Sequence, residues 1–202
     1  MTQALLLVAS YLLGAVPTSY IVGRVSRGID LREHGSGNLG ATNTFRVLGW
    51  RLALPVLIFD VFKGWLPTYL FPTLDAAAPV WAYAYGIAAI VGHVYSVFVG
   101  FRGGKGVATS TGVFLALAPA AVGVGLAIWL AIVFTTRIVS LASIVAALTL
   151  PLTVYALRGT TDVFWVSVGL AAFVIYAHRS NIKRLLKGEE HRFGRSGAKE
   201  GR

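Results

Sequence analysis

Three short polar stretches carry residue types suited to holding anions. The first is Gly35-Ser-Gly-Asn-Leu-Gly-Ala-Thr-Asn-Thr-Phe-Arg46. Gly and Asn tolerate positive φ, so successive backbone N–H groups can converge into an anion-binding nest. Gly37, Asn38 and Gly40 would shape it, with Ser36, Thr42 and Asn43 as side-chain donors and Arg46 as a bidentate phosphate partner. A flexible polar connector has the same composition, and only the company of the other two stretches separates the two readings. The second stretch holds Gly92-His93 and then Val97-Phe-Val-Gly-Phe-Arg-Gly103-Gly104-Lys105-Gly106. Lys105 stands between glycines just ahead of an apolar helix, where phosphate could sit at the helix's positive end. It is not a P-loop, which would need Gly at Val99 and Ser or Thr at Gly106. The third runs from His178-Arg-Ser-Asn181 to Glu190-His-Arg192. His178 and Asn181, spaced i, i+3, face the same way if the last helix continues past the membrane surface. Leu185 and Leu186 give the following turn an apolar side that can lie along an interface.

Two smaller features accompany them. Asp60 and Lys63 sit i, i+3 inside an apolar run, where charges are costly and are functional candidates, although mutual neutralisation would explain them. Ser140 and Ser143 open a later helix; Ser in such a place usually bonds back to its own carbonyls, but Ser143 is placed to reach a site. Acids are scarce, with Asp30 and Glu33 alone near the first stretch. That fits phosphate handled without metal, since Mg²⁺ wants carboxylate ligands, and no cofactor is expected.

The elements that must position these groups are membrane helices. Of 202 residues, 56% are hydrophobic and 13% charged, against roughly 25% charged in a soluble domain. A water-soluble fold is excluded. The absence of Cys excludes disulfides, thiolate nucleophiles and Cys-ligated metals. In so apolar a chain the net charge of +10 points to lipid headgroups or anionic substrates, not to nucleic acid. Apolar runs cover 3–23, bent at Pro17 and read as uncleaved, then 52–72, 76–101, 106–136, 138–157 and 163–177. The 31 residues of 106–136 would reach about 46 Å as one helix, so a turn is expected around Pro119, Gly123 and Gly125. With that turn the chain crosses seven times, N-terminus outside, and 16 of 18 basic residues fall on the cytoplasmic side. The expectation is an all-α polytopic bundle of seven transmembrane helices, with its C-terminus cytoplasmic. It forms one domain over 1–194, with a disordered basic tail at 195–202.

With these residues in order, the chain resembles the bacterial integral-membrane glycerol-3-phosphate acyltransferases that use acyl phosphate as donor. The likeness rests on SGNLGATN with Arg46, GHVYSVFVGFRGGKG and HRSNIKRLLKGEEHRFG, with DVFKG and SLAS between them, and it covers about 4–194. It implies transfer of a fatty acyl group from acyl phosphate to glycerol 3-phosphate, the first step of phospholipid synthesis. The products are 1-acyl-glycerol 3-phosphate (lysophosphatidic acid) and inorganic phosphate. It also implies a multi-pass protein of the bacterial inner or plasma membrane with its site facing the cytoplasm. The His-x₄-Asp dyad of other glycerolipid acyltransferases is absent: the positions five after the histidines are Leu39, Phe98, Lys183 and Ser196.

An acyl phosphate is already a mixed anhydride, so no acyl-enzyme is needed; two anions must be held close and developing charge stabilised. Ser36, Lys105, His178 and Asn181 are the expected catalytic residues. Gly37, Asn38, Gly40, Thr42, Asn43, Arg46, Gly103, Gly104 and Ser143 are the expected substrate-binding ones. The nest from Ser36 to Asn43 would hold the acyl phosphate with Lys105 bridging, and Arg46 with Lys105 the glycerol phosphate. His178 is a candidate base near neutrality, with a substrate phosphate oxygen as an equal alternative. The expected partners are the two substrates and membrane lipid, with the protein a monomer. A phosphate transporter would also need oxyanion donors, but transporters place them near mid-membrane in repeated halves. A basic lipid-binding scaffold explains the charge but not the glycines.

Overall fold

Pro17 has no N–H to give, and the first apolar run breaks there into α1 (Thr2–Ala15) and α2 (Thr18–Arg27). The computed structural model describes residues 2–74 and 80–193, so the expected tail at 195–202 lies outside the described residues. Next come α3 (Ala41–Leu48), α4 (Trp50–Leu74), α5 (Val80–Val94) and a 3₁₀ turn (Val97–Val99). The chain continues through α6 (Val107–Leu117), α7 (Pro119–Thr136), α8 (Val139–Arg158), α9 (Asp162–Ala177) and α10 (Arg179–Leu186). Among the described residues every regular element is helical.

Five of these stretches are long and apolar enough to cross a membrane: Thr2–Arg27, Trp50–Leu74, Val80–Val99, Pro119–Thr136 and Val139–Arg158. A sixth is reached if α9 and α10, which meet at a 60° bend, count as one. The apolar α6 has 11 residues, roughly 16 Å, about half of a bilayer core. The turn expected within 106–136 is at Ala118–Pro119 alone. Gly123 and Gly125, expected in that turn, lie inside α7. Pro119 suits the first position of a helix, where its missing N–H costs nothing. Gly125 faces α8, where a Cβ would sit 3.9 Å from the Ala146 carbonyl, an ordinary contact.

The chain divides into two units, Met1–Ala120 and Ala121–Arg202. In the first, helices meet through glycines. A Cβ at Gly14 would overlap the Ala89 carbonyl, and one at Gly92 the Tyr11 carbonyl, so α1 and α5 touch backbone to backbone. Gly64 against Thr109 and Gly112 against Val61 do the same for α4 and α6. Between apolar helices in lipid, such close approach replaces the hydrophobic drive that water would supply. Gly112→Leu should therefore yield no monodisperse protein in detergent, whereas Gly123→Leu, which faces open space, should purify normally. Size-exclusion profiles of the two would check this.

The break at Pro17 strips α1's last carbonyls of helical partners. Ser96 Oγ donates to the Ala15 carbonyl at 2.5 Å and Lys63 Nζ to the Val16 carbonyl at 2.9 Å. Lys63 also pairs with Asp60 at 2.7 Å, and Asp60 accepts from Thr18 Oγ1 at 3.2 Å. The i, i+3 pair of α4 is thus a brace for a broken helix. A small apolar core of Leu31, Leu39 and Val99, flanked by Tyr20, Ile29, Val47 and Leu48, fastens the loop before α3 to the 3₁₀ turn.

In the second unit α8 packs on α9, and Trp129 Nε1 of α7 donates to Ser143 Oγ of α8 at 3.2 Å. The Phe193 N–H donates to the Arg137 carbonyl at 2.6 Å, returning the end of the described chain to the start of α8.

Candidate functional site

The loop before α3 folds around Asn43. Its Nδ2 donates to the carbonyls of Leu31 at 3.1 Å and His34 at 3.0 Å, and its Oδ1 accepts the Ser36 N–H at 2.8 Å. Arg46 Nη1 reaches the same oxygen at 3.4 Å. Asn43 is 1% exposed, so it braces the loop and is not a donor facing a ligand. The glycines behave likewise. Gly35 and Gly37 are left-handed (φ 62° and 69°), and a Cβ on Gly35 would overlap Asn43 Oδ1. The Gly37 N–H closes on His34 and the Gly40 N–H on Asn38. Converging N–H groups from Ser36, Gly37 and Gly40 therefore do not form the expected nest. Turn closure uses those donors.

The donors the loop does present are those of α3. Its N-terminus begins at Ala41 after Gly40; the Gly40 N–H goes to the Asn38 carbonyl and the Asn43 N–H to the Gly40 carbonyl, so the donors it presents are those of Ala41 and Thr42. Ser36 and Arg46 are exposed beside it, and Thr42 is half-buried in its first turn.

The second loop shows the same economy. The Gly103 N–H bonds the Val94 carbonyl at 3.0 Å and the Gly104 N–H the His93 carbonyl at 3.1 Å. These glycines cap the end of α5; they do not cradle an anion. Their missing side chains matter as space. A Cβ on Gly104 would overlap both His93 Nε2 and the Leu39 carbonyl, so the two loops touch at this point. Gly106 (φ 79°) then turns the chain into α6, placing half-buried Lys105 immediately ahead of that helix's N-terminus. Two touching loops thus lead into the α3 and α6 N-termini, with Lys105 in one of them and Arg46, in the last turn of α3, reaching back to Asn43, which suits a doubly anionic ligand. Beside them lies a cavity of about 440 Å³ lined by Asp30, Arg32, Glu33, Gly37, Arg102 and Gly103.

The floor of that cavity is pinned by an ion pair missed in the sequence. Arg32 bonds Asp30 at 2.6 Å and reaches the Val99 carbonyl at 3.1 Å. The Arg32 bond holds the Asp30 carboxyl below its usual range, against burial. A depressed folded pKa means that stability from this group is full above about pH 4 and is lost as pH falls through the folded value. Thermal unfolding midpoints should drop more steeply with acid below pH 4 in the wild-type protein than in Asp30→Asn.

In the second unit the last span does not run straight on. The 60° bend falls at His178, which ends α9 and opens α10, so His178 and Asn181 are not on one continuous helix as expected. Both are buried. His178 Nδ1 lies 2.8 Å from the Val174 carbonyl; as carbonyls only accept, that nitrogen carries a proton, and in the neutral ring Nε2 holds the lone pair. Asn181 Nδ2 donates to Glu190 at 2.9 Å, and Arg184 Nε holds the other Glu190 oxygen at 2.9 Å. Burial would raise the Glu190 carboxyl, but the bonds from Asn181 and Arg184 outweigh it and keep it below its usual value. Sequence reasoning passed over Glu190, whose signal was an acid within a basic run. Ser143 Oγ donates to the Val139 carbonyl at 2.9 Å and accepts from Trp129, so its proton is already engaged.

Known proteins resemble this chain over nearly its whole length. Residues 4–188 match the family model described as glycerol-3-phosphate acyltransferase. The glycerol-3-phosphate acyltransferase of Geobacter sulfurreducens is 44% identical over 96% of this chain and 98% of its own. That of Trichlorobacter lovleyi is 46% identical over 96% of this chain and 99% of its own. Two crystal structures of PlsY (YgiH), an integral membrane glycerol 3-phosphate acyltransferase, superpose closely. Its glycerol 3-phosphate form gives a TM-score of 0.90 at 38% identity, and its lysophosphatidic acid form 0.87 at 37%, each over 96% of both chains.

Proposed function

Because the chain belongs to the glycerol-3-phosphate acyltransferase family, we propose that it moves a fatty acyl group from acyl phosphate to the 1-hydroxyl of glycerol 3-phosphate. The new ester C–O bond forms as the acyl C–O bond to phosphate breaks. Inorganic phosphate leaves, and the hydroxyl proton passes to a base. No acyl-enzyme and no metal take part, since the donor carries its own leaving group and the site presents cations and helix N-termini. The observation that carries this reading is the contact of the Leu39 and Gly104 loops, which brings the α3 and α6 N-termini together with Arg46 and Lys105.

Within the first unit, Ser36, Thr42 and the α3 N-terminus take the acyl phosphate's phosphate, Arg46 takes the glycerol phosphate, and Lys105 serves both. Asn43, Gly37, Asn38, Gly40, Gly103 and Gly104 shape the loops that hold these groups. Within the second unit, His178 through Nε2, with Asn181, orients the attacking hydroxyl, and Ser143, bonded by Trp129, ties α8 to α7. The proton goes to His178 Nε2 or to a substrate phosphate oxygen. A kcat profile against pH separates these: only the first loses its acid limb in His178→Asn.

The apolar helices and the integral-membrane relatives make this a multi-pass membrane protein. We place it in the bacterial inner membrane with seven crossings, counting α6 and the α9–α10 pair. The N-terminus is then outside and the basic loops cytoplasmic, and the protein works as a monomer. The positive-inside rule supports that orientation.

Purified protein given palmitoyl phosphate, without metal or ATP, should release inorganic phosphate only when glycerol 3-phosphate is present, one for one with lysophosphatidic acid. Release without the acceptor would make it a hydrolase.

A further inference from the structure

We infer that His93, braced from the membrane interior by the Asp60–Lys63 pair, is a positioning residue for Lys105. This rests on the assignment of Lys105 to the substrates. Three observations converge on His93. Its ring Nε2 faces the space that Gly104 leaves by having no side chain, one residue before Lys105. Its own carbonyl accepts the Gly104 N–H at 3.1 Å, so ring and main chain hold the same residue from two sides. On the far side of the ring, Nδ1 lies 3.8 Å from Asp60 Oδ1.

Asp60 cannot shift, because Lys63 Nζ at 2.7 Å and Thr18 Oγ1 at 3.2 Å hold it. Lys63 is tied in turn to the Val16 carbonyl at the helix break. Lys63 and Asp60 are 1% and 2% exposed and His93 8%, so the column from the broken helix to Gly104 is almost dry. Mutual neutralisation accounts for two charges meeting in a membrane, yet not for a third polar ring stacked between them and the glycine loop. A shim does. The ring fixes the height of Gly104, whose other neighbour is the Leu39 carbonyl of the first loop. His93 thereby sets how far Lys105 stands from the α3 N-terminus. A displacement of about 1 Å in such a constellation is worth about a hundredfold in rate.

The test compares His93→Ala, which removes the shim, with His93→Gln, which refills most of its volume and can still face Asp60. His93→Ala should raise KM for glycerol 3-phosphate at least tenfold, with a smaller fall in kcat, and His93→Gln should return KM to within threefold of wild type. Acetylation of Lys105 by acetic anhydride, read by mass spectrometry with increasing glycerol 3-phosphate, follows the lysine itself. Half-protection should need about tenfold more ligand in His93→Ala. Should that variant not fold, His93→Asn carries the same expectation at three- to fivefold.

Unchanged KM and protection in a folded Ala or Asn variant would overturn the inference. So would a Gln variant that regains thermal stability but not KM, since His93 would then serve folding alone. If glycerol 3-phosphate fails to protect Lys105 in the wild-type protein, the assignment of Lys105 to substrate falls first, and the inference with it.

Discussion

Lys105→Ala should lower kcat about 10²- to 10³-fold while the protein purifies and unfolds like wild type. Loss of one preorganised donor to a developing oxyanion costs that much in other enzymes, and here the donor carries a full charge at a helix N-terminus. The fold should not suffer. Lys105 is half-buried, the α5 cap is made by the Gly103 and Gly104 N–H groups, and the contact to the first loop is made by Gly104. Initial rates of phosphate release at saturating substrates, with a thermal melt on the same sample, give the answer. Lys105→Arg should recover only part of the rate, because the longer planar group cannot occupy the ammonium's position. Wild-type rates in Lys105→Ala would remove the lysine from the chemistry altogether.

Glu190→Leu should be the most damaging change in the second unit, reducing turnover by ten- to a hundredfold. Two charge-assisted hydrogen bonds meet on this carboxylate, one from Asn181 and one from Arg184, and bonds to charged groups are worth about 1.5–3 kcal/mol each. Part of the Arg184 bond is lost to solvent screening, since that side chain is 31% exposed. What remains turns Asn181 and seats α10 below the bend. Each 1.4 kcal/mol of misplacement is tenfold, so the loss should appear in kcat and in earlier proteolysis after residue 178. Arg184→Lys should be far milder, as it keeps the charge. Equal activity of Glu190→Leu and wild type would mean that Asn181 needs no such orientation.

Much of the frame was legible from residue types. Pro17 and Pro119 fall at helix breaks as expected, but Pro55, Pro67, Pro72 and Pro151 lie within helices, so a proline by itself did not mark a break. Uncharged runs marked the spans, and Lys105 was placed ahead of a helix by the apolar stretch after it. The local hydrogen bonds were not legible. A glycine declares freedom of φ, but whether its N–H is left over for a ligand depends on carbonyls far along the chain. The Gly103 and Gly104 donors went to the end of α5, and those of Ser36, Gly37 and Gly40 into turns. Asn43 read as a donor to substrate because sequence shows its amide and not the Leu31 and His34 carbonyls that occupy it. Gly123 and Gly125 looked like a turn, but they sit in a helix whose neighbour is close at only one of them. The bend at His178 carried no Pro or Gly to signal it.

The brace at the first helix break has a consequence for how the chain is made. Its two acceptors, at Ala15 and Val16, are synthesised long before their donors at Lys63 and Ser96. When the first segment leaves the ribosome and enters the bilayer, the Val16 carbonyl already accepts the Thr18 N–H at 3.0 Å, but the Ala15 carbonyl still awaits Ser96, and an exposed peptide carbonyl in hydrocarbon costs several kcal/mol. The early segment must therefore wait near the translocon or the headgroups, with water as a substitute. It can reach its final depth only after residue 96 has emerged. Biogenesis of this protein is thus gated by its own third hydrophobic segment, and chains stalled before that point should remain extractable by alkaline carbonate.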